Sequence, residues 1–257
     1  MTFKKLNNLE NKVAVITGGA GQIGYATAIK LAEQKCRVII LTRNETEELK
    51  EKIKSLPNSE LGHFFVIADI TNTSTLKNAA QQVLIRAKRC DILVNSAASN
   101  SKIKPWQIEE LTDDIFDDII KTNLRGVYAT IRTFFPMLRD TNDGLIINIS
   151  STAGERAFNS ASNLAYGASK AGLNMLTRGL SRALAPKVRI IGIVPGVMEK
   201  PGSGIVRLPD YNEKAIEGIP LNRIGCGEDI ANTIIACATH IRFATGSTIV
   251  VDGGRTA

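Results

Sequence analysis

Seven short apolar runs recur along this 257-residue chain, with helically periodic stretches between them, and that alternation leaves few folds open. The runs fall at 12–17, 37–41, 63–68, 91–95, 145–150, 188–194 and 248–251. The helical patterns fall at 22–35, 45–55, 73–88, 113–139, 161–185 and 227–239. Val13-Ala-Val-Ile16 and Val38-Ile-Ile-Leu41 are apolar at every position, as expected of parallel strands buried on both faces. Strand–helix alternation of this kind predicts an α/β class: a doubly wound parallel sheet of seven strands with helices on both faces and right-handed crossovers. The length suits one domain over 1–257, and a 44% hydrophobic content supplies its core. One long stretch, 196–220, is rich in Gly and Pro and shows neither periodicity. A loop of that length inside a compact domain is usually functional, and it is expected to form a substrate lid.

Directly after the first run comes Thr17-Gly18-Gly19-Ala20-Gly21-Gln22-Ile23-Gly24, opening the first helical stretch. It contains Gly19-x-Gly21-x-x-Gly24, a dinucleotide fingerprint in the strand-to-helix setting that gives the spacing meaning. Glycines permit the tight turn and let backbone N–H groups approach a diphosphate, while the helix N-terminus supplies the positive end. The sheet is therefore expected to be Rossmann-type. The second run ends Leu41-Thr42-Arg43-Asn44. An acidic residue here would take the 2′-hydroxyl of NAD, whereas an Arg accommodates the 2′-phosphate of NADP. Thr42 is neutral and Arg43 cationic, so NADP(H) is favoured and NAD(H) stays open.

Tyr166-Gly-Ala-Ser-Lys170 lies early in the helical pattern at 161–185. Residues four apart share a helix face, with Cβ atoms roughly 5–6 Å apart. The phenol and the ammonium can thus face one cleft. A nearby cation favours the phenolate and is expected to pull the tyrosine from its ordinary value of about 10 toward the working pH, as a general acid/base requires.

Composition removes several classes. Four cysteines (Cys36, Cys90, Cys226, Cys237) lack Cys-x-x-Cys spacing, and His63 and His240 are the only histidines. Neither a metal site nor a disulfide framework is expected, and reduced thiols suit a cytoplasmic protein. No run of eighteen apolar residues marks a membrane span, and the first residues lack a signal-peptide core. Net charge is +7, but no block of five basic residues appears, so no nucleic-acid arm is expected. An anionic small ligand or an acidic carrier protein fits that balance.

With these residues in view, the chain resembles the short-chain dehydrogenase/reductase family, in its branch of about 250 residues, over roughly 10–254. The landmarks come in the family's order: the glycine turn, Asp69-Ile70, Asn95-Ser-Ala-Ala98, Asn123 within Thr-Asn-Leu-Arg-Gly, Ser150-Ser151, Tyr166 with Lys170, Pro195-Gly196, and Val251-Asp-Gly-Gly254. The resemblance implies a catalytic group of Asn123, Ser151, Tyr166 and Lys170. Tyr166 exchanges the proton with the carbonyl or alcohol oxygen, and Lys170 lowers the tyrosine pKa and holds the nicotinamide ribose. Ser151 binds the substrate oxygen, with Ser150 as the alternative hydroxyl, and Asn123 positions a water beside Lys170. For the cofactor it implies Gly18, Gly21, Gln22, Ile23 and Gly24 at the diphosphate, Arg43 at the 2′-phosphate, and Asp69 and Ile70 at the adenine. Asn95 and Ala97 fall on the ribose side, while Pro195 and Gly196 back the nicotinamide.

The chain also departs from the pattern. Gln22 stands where the branch usually has glycine, Ser151 to Tyr166 is about two residues longer than usual with the excess expected within 158–162, and Lys200 replaces a customary threonine, for which Ser203 is a substitute. The implied activity is hydride transfer between NADP(H) and a ketone or 3-oxoacyl group, as in 3-oxoacyl-acyl-carrier-protein reductases. Those enzymes dock an acidic carrier near the cleft, for which Arg178, Arg182 and Lys187 are candidates. The alternatives are an NAD-dependent secondary-alcohol dehydrogenase and, in a different class, a non-catalytic dinucleotide-binding sensor or assembly subunit. A homotetramer or dimer through 113–139, 161–185 and the C-terminal edge is implied as well.

Overall fold

The protein is described by a computed structural model covering residues 8–156, 164–199 and 216–257. Its centre is one seven-stranded sheet, every neighbouring pair parallel, in the order β3-β2-β1-β4-β5-β6-β7. The strands are β1 (Val13–Thr17), β2 (Arg37–Thr42), β3 (Phe64–Ile67), β4 (Ile92–Asn95), β5 (Gly144–Ile149), β6 (Val188–Pro195) and β7 (Thr248–Val251). The helices are α1 (Gln22–Glu33), α2 (Glu47–Lys54), α3 (Thr73–Ala87), α4 (Asp113–Ile120), α5 (Val127–Asp140), α6 (Leu164–Leu184) and α7 (Gly227–Thr239). Every expected strand and helix is present within a few residues. One difference has consequences: the helix expected at 113–139 is interrupted by a π-turn at Lys121–Gly126, a widening that recurs at functional sites.

Alternation along the strands divides the core. Val13, Val15, Leu93, Ile146 and Ile190 pack beneath α3, α5 and α6. Ala14, Ile16, Val94, Ile147 and Ile191 pack beneath α1, α2 and α7 on the other face. On the α6 face the apolar rows give way near the C-terminal ends to Thr17, Asn95 and Asn148, which are strand neighbours in register. Asn95 donates to Asn148 at 2.8 Å, and Asn148 donates to Thr177 on α6 at 2.9 Å. Buried polar groups need partners, so this row fixes α6 against the strand ends.

At the opposite end of the sheet, the buried Asp91 carboxylate accepts from Val13 N–H at 3.0 Å and from Lys12 and Arg89. His63 accepts from Val38 N–H through Nδ1 at 2.9 Å. Thr46 caps α2, and Asn72 caps α3 by accepting from Ser74 N–H. The core of the expected lid, 200–215, and the lengthened wall at 158–162, with Lys200 and Ser203, lie outside the described residues.

Candidate active site

Chain order places β1 beside both β2 and β4, and at such a reversal the loops at the carboxyl ends diverge and leave a crevice. A cavity of about 380 Å³ opens there. Its walls include Gly18 and Gly21 of the glycine turn, Arg43 after β2, Asp69 and Ile70 after β3, and Ala97 after β4. Six of the expected cofactor residues are thus brought together. Thr42 also lines it, as do Asn44, Ser99, Asp118 and Thr122, and sequence reasoning did not single out the last four for this role.

The glycine turn is built for close approach. Gly18 has φ of +65°, and a Cβ there would stand 2.8 Å from Ala97 Cα. A Cβ on Gly24 would collide with Gly18 O. Helix α1 then starts after Gly21 with no side-chain cap, unlike α2 and α3, and with no acidic residue in its first turn. Its first N–H groups, including those of Gln22 and Ile23, lack intrahelical partners. An uncapped, unneutralised helix N-terminus facing a crevice suits an anionic group. The turn is held from behind by Thr17, whose Oγ1 accepts from Ser96 and Ala97 N–H at 3.2 and 3.3 Å. That anchor is legible only as a polar residue ending an apolar strand.

Asp69 does not present a free carboxylate. Burial pushes its carboxyl up, but hydrogen bonds from Thr71 and the neighbouring Arg43 and Lys121 cations leave it below the ordinary range. Asn95 is buried under the cavity floor and not on its wall; its Nδ2 is used by Asn148, and its Oδ1 has no partner among the described residues.

The second part of the site sits two strands away. Ser150 is buried, with its hydroxyl directed to Lys170 O at 3.3 Å. Ser151 points the other way, as successive extended residues must, and its hydroxyl meets the Tyr166 phenol. Of the two serines, Ser151 is therefore the one beside the tyrosine. Lys170 is 2% exposed, donates from Nζ to Ile149 O at 2.8 Å, and lies 5.5 Å from the Tyr166 ring centroid. Burial brings its ammonium down to about 8. Gly154 makes this packing possible, because a Cβ there would stand 2.6 Å from Lys170 C. Pro195 and Gly196 end the adjacent β6; Gly196 passes so close to Asp252 that a Cβ would lie 2.6 Å from its Cβ.

The expected lowering of the Tyr166 pKa does not hold here. Burial pushes the phenol above its ordinary value, and only the Ser151 hydrogen bond pulls the other way. The cause is burial, which disfavours the charged form of the phenol. The basic trio lies along and beyond α6. Helix α6 leads away from the site, so Arg178 and Arg182 lie roughly 12 and 18 Å along it from Lys170. Lys187 precedes the N-terminal end of β6 and accepts from Gly144 N–H. Within one chain these residues do not border the cleft.

Asn123 lies on the π-turn, fully buried. Its Oδ1 accepts from Ser99 N–H at 2.7 Å, and its Nδ2 donates to Ser99 O at 2.8 Å and to Ser169 Oγ at 3.0 Å. A break in helical register of this kind carries no pattern readable from residue types.

Comparison with known proteins agrees with this fold. Residues 18–256 match a family model described as Enoyl-(Acyl carrier protein) reductase. The 3-oxoacyl-[acyl-carrier-protein] reductase FabG of Thermotoga maritima is 29% identical over 251 residues, spanning 96% of this chain and 98% of its own. The short-chain type dehydrogenase/reductase y4mP of Sinorhizobium fredii, itself uncharacterised, is 30% identical over 251 residues, with the same coverage. A crystal structure of a dehydrogenase/reductase from Sinorhizobium meliloti superposes with a TM-score of 0.87 at 28% identity, covering 97% of this chain and 98% of that one. With the matches running nearly end to end over a shared fold, this chain belongs to the short-chain dehydrogenase/reductase family of oxidoreductases.

Proposed function

We propose that this protein reduces the carbonyl of a ketone or a 3-oxoacyl compound at the expense of NADPH, with Tyr166 as the proton donor. The observation that carries the reading is the Ser151 hydroxyl on the Tyr166 phenol, with buried Lys170 beside them and a crevice suited to a dinucleotide on the same edge of the sheet. The glycine turn and the uncapped start of α1 fit a diphosphate held by Gly18, Gly21, Gln22, Ile23 and Gly24. Asp69 and Ile70 flank the adenine, Asn95 and Ala97 support the ribose side, and Pro195 and Gly196 back the nicotinamide. Bound there, the cofactor supplies the hydride.

The chain's own residues supply orientation and the proton. Ser151 binds the carbonyl oxygen and stabilises the charge that develops on it. Tyr166 gives that oxygen its proton, and reduction needs a phenol that is protonated beforehand. Burial, which raises the phenol, keeps it loaded at neutral pH and supports the reductive direction. Lys170, buried beside the phenol with its Nζ on Ile149 O, holds the nicotinamide ribose, while Asn123 positions a water beside it.

Arg43 is exposed on the crevice wall, and no acidic residue stands with it at the end of β2; this supports NADP(H). Its test is a titration with both cofactors: NADPH binds more tightly than NADH at matched salt, and Arg43→Ala removes about tenfold of NADPH affinity only, as expected for one charged hydrogen bond. Tighter NADH binding refutes the assignment. For the substrate, ketones and 3-oxoacyl thioesters are screened by NADPH absorbance, and no turnover of any member refutes the reading. The name of the T. maritima relative supports the 3-oxoacyl half of the panel.

Self-association belongs to the same proposal. Between α4, α5 and α6 lies an open apolar groove lined by Ile120, Leu124, Tyr128, Met175, Leu176 and Leu180. Met175 is 64% exposed, and a second copy covering this face gives a dimer, or a tetramer with one further contact. Light scattering showing only monomers refutes it. All four cysteines are free thiols and three are buried, in keeping with a reducing cytoplasm.

A further inference from the structure

Tyr166 and Lys170 sit in the first two turns of α6, where a helix has fewest internal bonds. A site there needs external fixing, because misplacement of a reacting group by about 1 Å can cost roughly a hundredfold in rate. Ser169, between them, is completely buried. Its hydroxyl donates to Tyr166 O at 2.7 Å and accepts from Asn123 Nδ2 at 3.0 Å. The same Asn123 amide makes both bonds to the backbone of Ser99, and Ser99 is part of the cavity wall. An unbroken line of hydrogen bonds thus joins the wall of the cofactor crevice, through the π-turn, to the backbone of the tyrosine.

We infer that Ser169 is a positioning residue: with Asn123 it forms a strut that sets the distance between the crevice and the phenol. The inference rests on the proposed role of Tyr166 in proton transfer. Three features favour a strut over ordinary packing. Both ends meet main chain, which moves less than side chains. The asparagine uses both amide hydrogens and its oxygen in the line, leaving it no alternative rotamer with the same bonds. The π-turn also turns a residue of the long helix toward α6, and that widening has its own backbone cost. Removing the Ser169 hydroxyl leaves one asparagine N–H buried without a partner, so the strut loses one end while the core volume barely changes.

The test uses the whole protein, with NADPH and ethyl 3-oxobutanoate as the probe. Ser169→Ala is expected to lower kcat roughly ten- to hundredfold, with KM and the NADPH dissociation constant changed less than about threefold. Ser169→Cys, similar in volume with a weak S–H donor, falls between the two and serves if the alanine variant does not fold. Because the two residues act through one another, Asn123→Ala combined with Ser169→Ala loses no more than Asn123→Ala alone. Wild-type kcat in either serine variant overturns the inference, as does a double variant whose losses multiply or a loss confined to KM or to the folded fraction. Tyr166→Phe separates the two readings. If it is active, the proton-transfer role fails; if it is dead while Ser169→Ala is normal, only the strut fails.

Discussion

Replacing Lys170 with methionine should make the protein more stable at neutral pH while abolishing its chemistry. The ammonium is 2% exposed, with one carbonyl partner, and burial brings it to about 8, against about 10.4 for a lysine in water. At about 1.4 kcal/mol per pH unit, keeping it charged in the fold costs roughly 3 kcal/mol. Methionine fills similar space without charge, and the lost hydrogen bond to Ile149 O returns about 1 kcal/mol. Lys170→Met is therefore expected to be more stable by about 2 kcal/mol at pH 7, or several degrees in Tm. The sign reverses with pH. Between about 8 and 10.4 the unfolded chain holds a proton that the folded chain has released, so wild-type stability rises with pH relative to the variant. Urea unfolding of both proteins from pH 7 to 10 measures the swing, expected to reach about 3 kcal/mol. A stability difference that stays constant across that range refutes the claim that a buried charge is held there against its solvation.

Two further substitutions separate the crevice from the scaffold. Gly24→Ala puts a Cβ into Gly18 O and should abolish NADPH binding, read by fluorescence titration, while far-ultraviolet circular dichroism stays near wild type; unaltered affinity would show that the turn is not the diphosphate seat. Asp91→Ala strips partners from Lys12, Arg89 and the Val13 N–H at the far end of the sheet. It should cost about 2–4 kcal/mol in urea unfolding and leave kcat near wild type, and a kcat loss without destabilisation contradicts that division.

The sheet was legible because its residues carry single messages. Val38-Ile-Ile-Leu41 admits little but a buried strand, and the glycine spacing after β1 fixes where the chain turns back. The placement of Tyr166 and Lys170 on one helix was legible for the same reason. Their electrostatics were not, because helical spacing says which groups are near and says nothing of where the ammonium points. In the fold the ammonium donates to Ile149 O, and burial decides the phenol's behaviour. The choice between Ser150 and Ser151 needed the strand end itself, since one residue of register sends the hydroxyl to the opposite side. The π-turn, the strut through Ser169 and the close approach of Gly154 to Lys170 all depend on tertiary contacts between distant segments. Local residue types do not encode such contacts.

The central claim is that one phenol delivers the proton. The most direct measurement is the rate of NADPH oxidation by Tyr166→Phe at saturating cofactor, with a carbonyl compound that the wild type reduces. The account predicts unchanged NADPH affinity and a rate at least about a thousandfold lower, within the usual worth of a positioned general acid. A phenylalanine variant that turns over at the wild-type rate would contradict it.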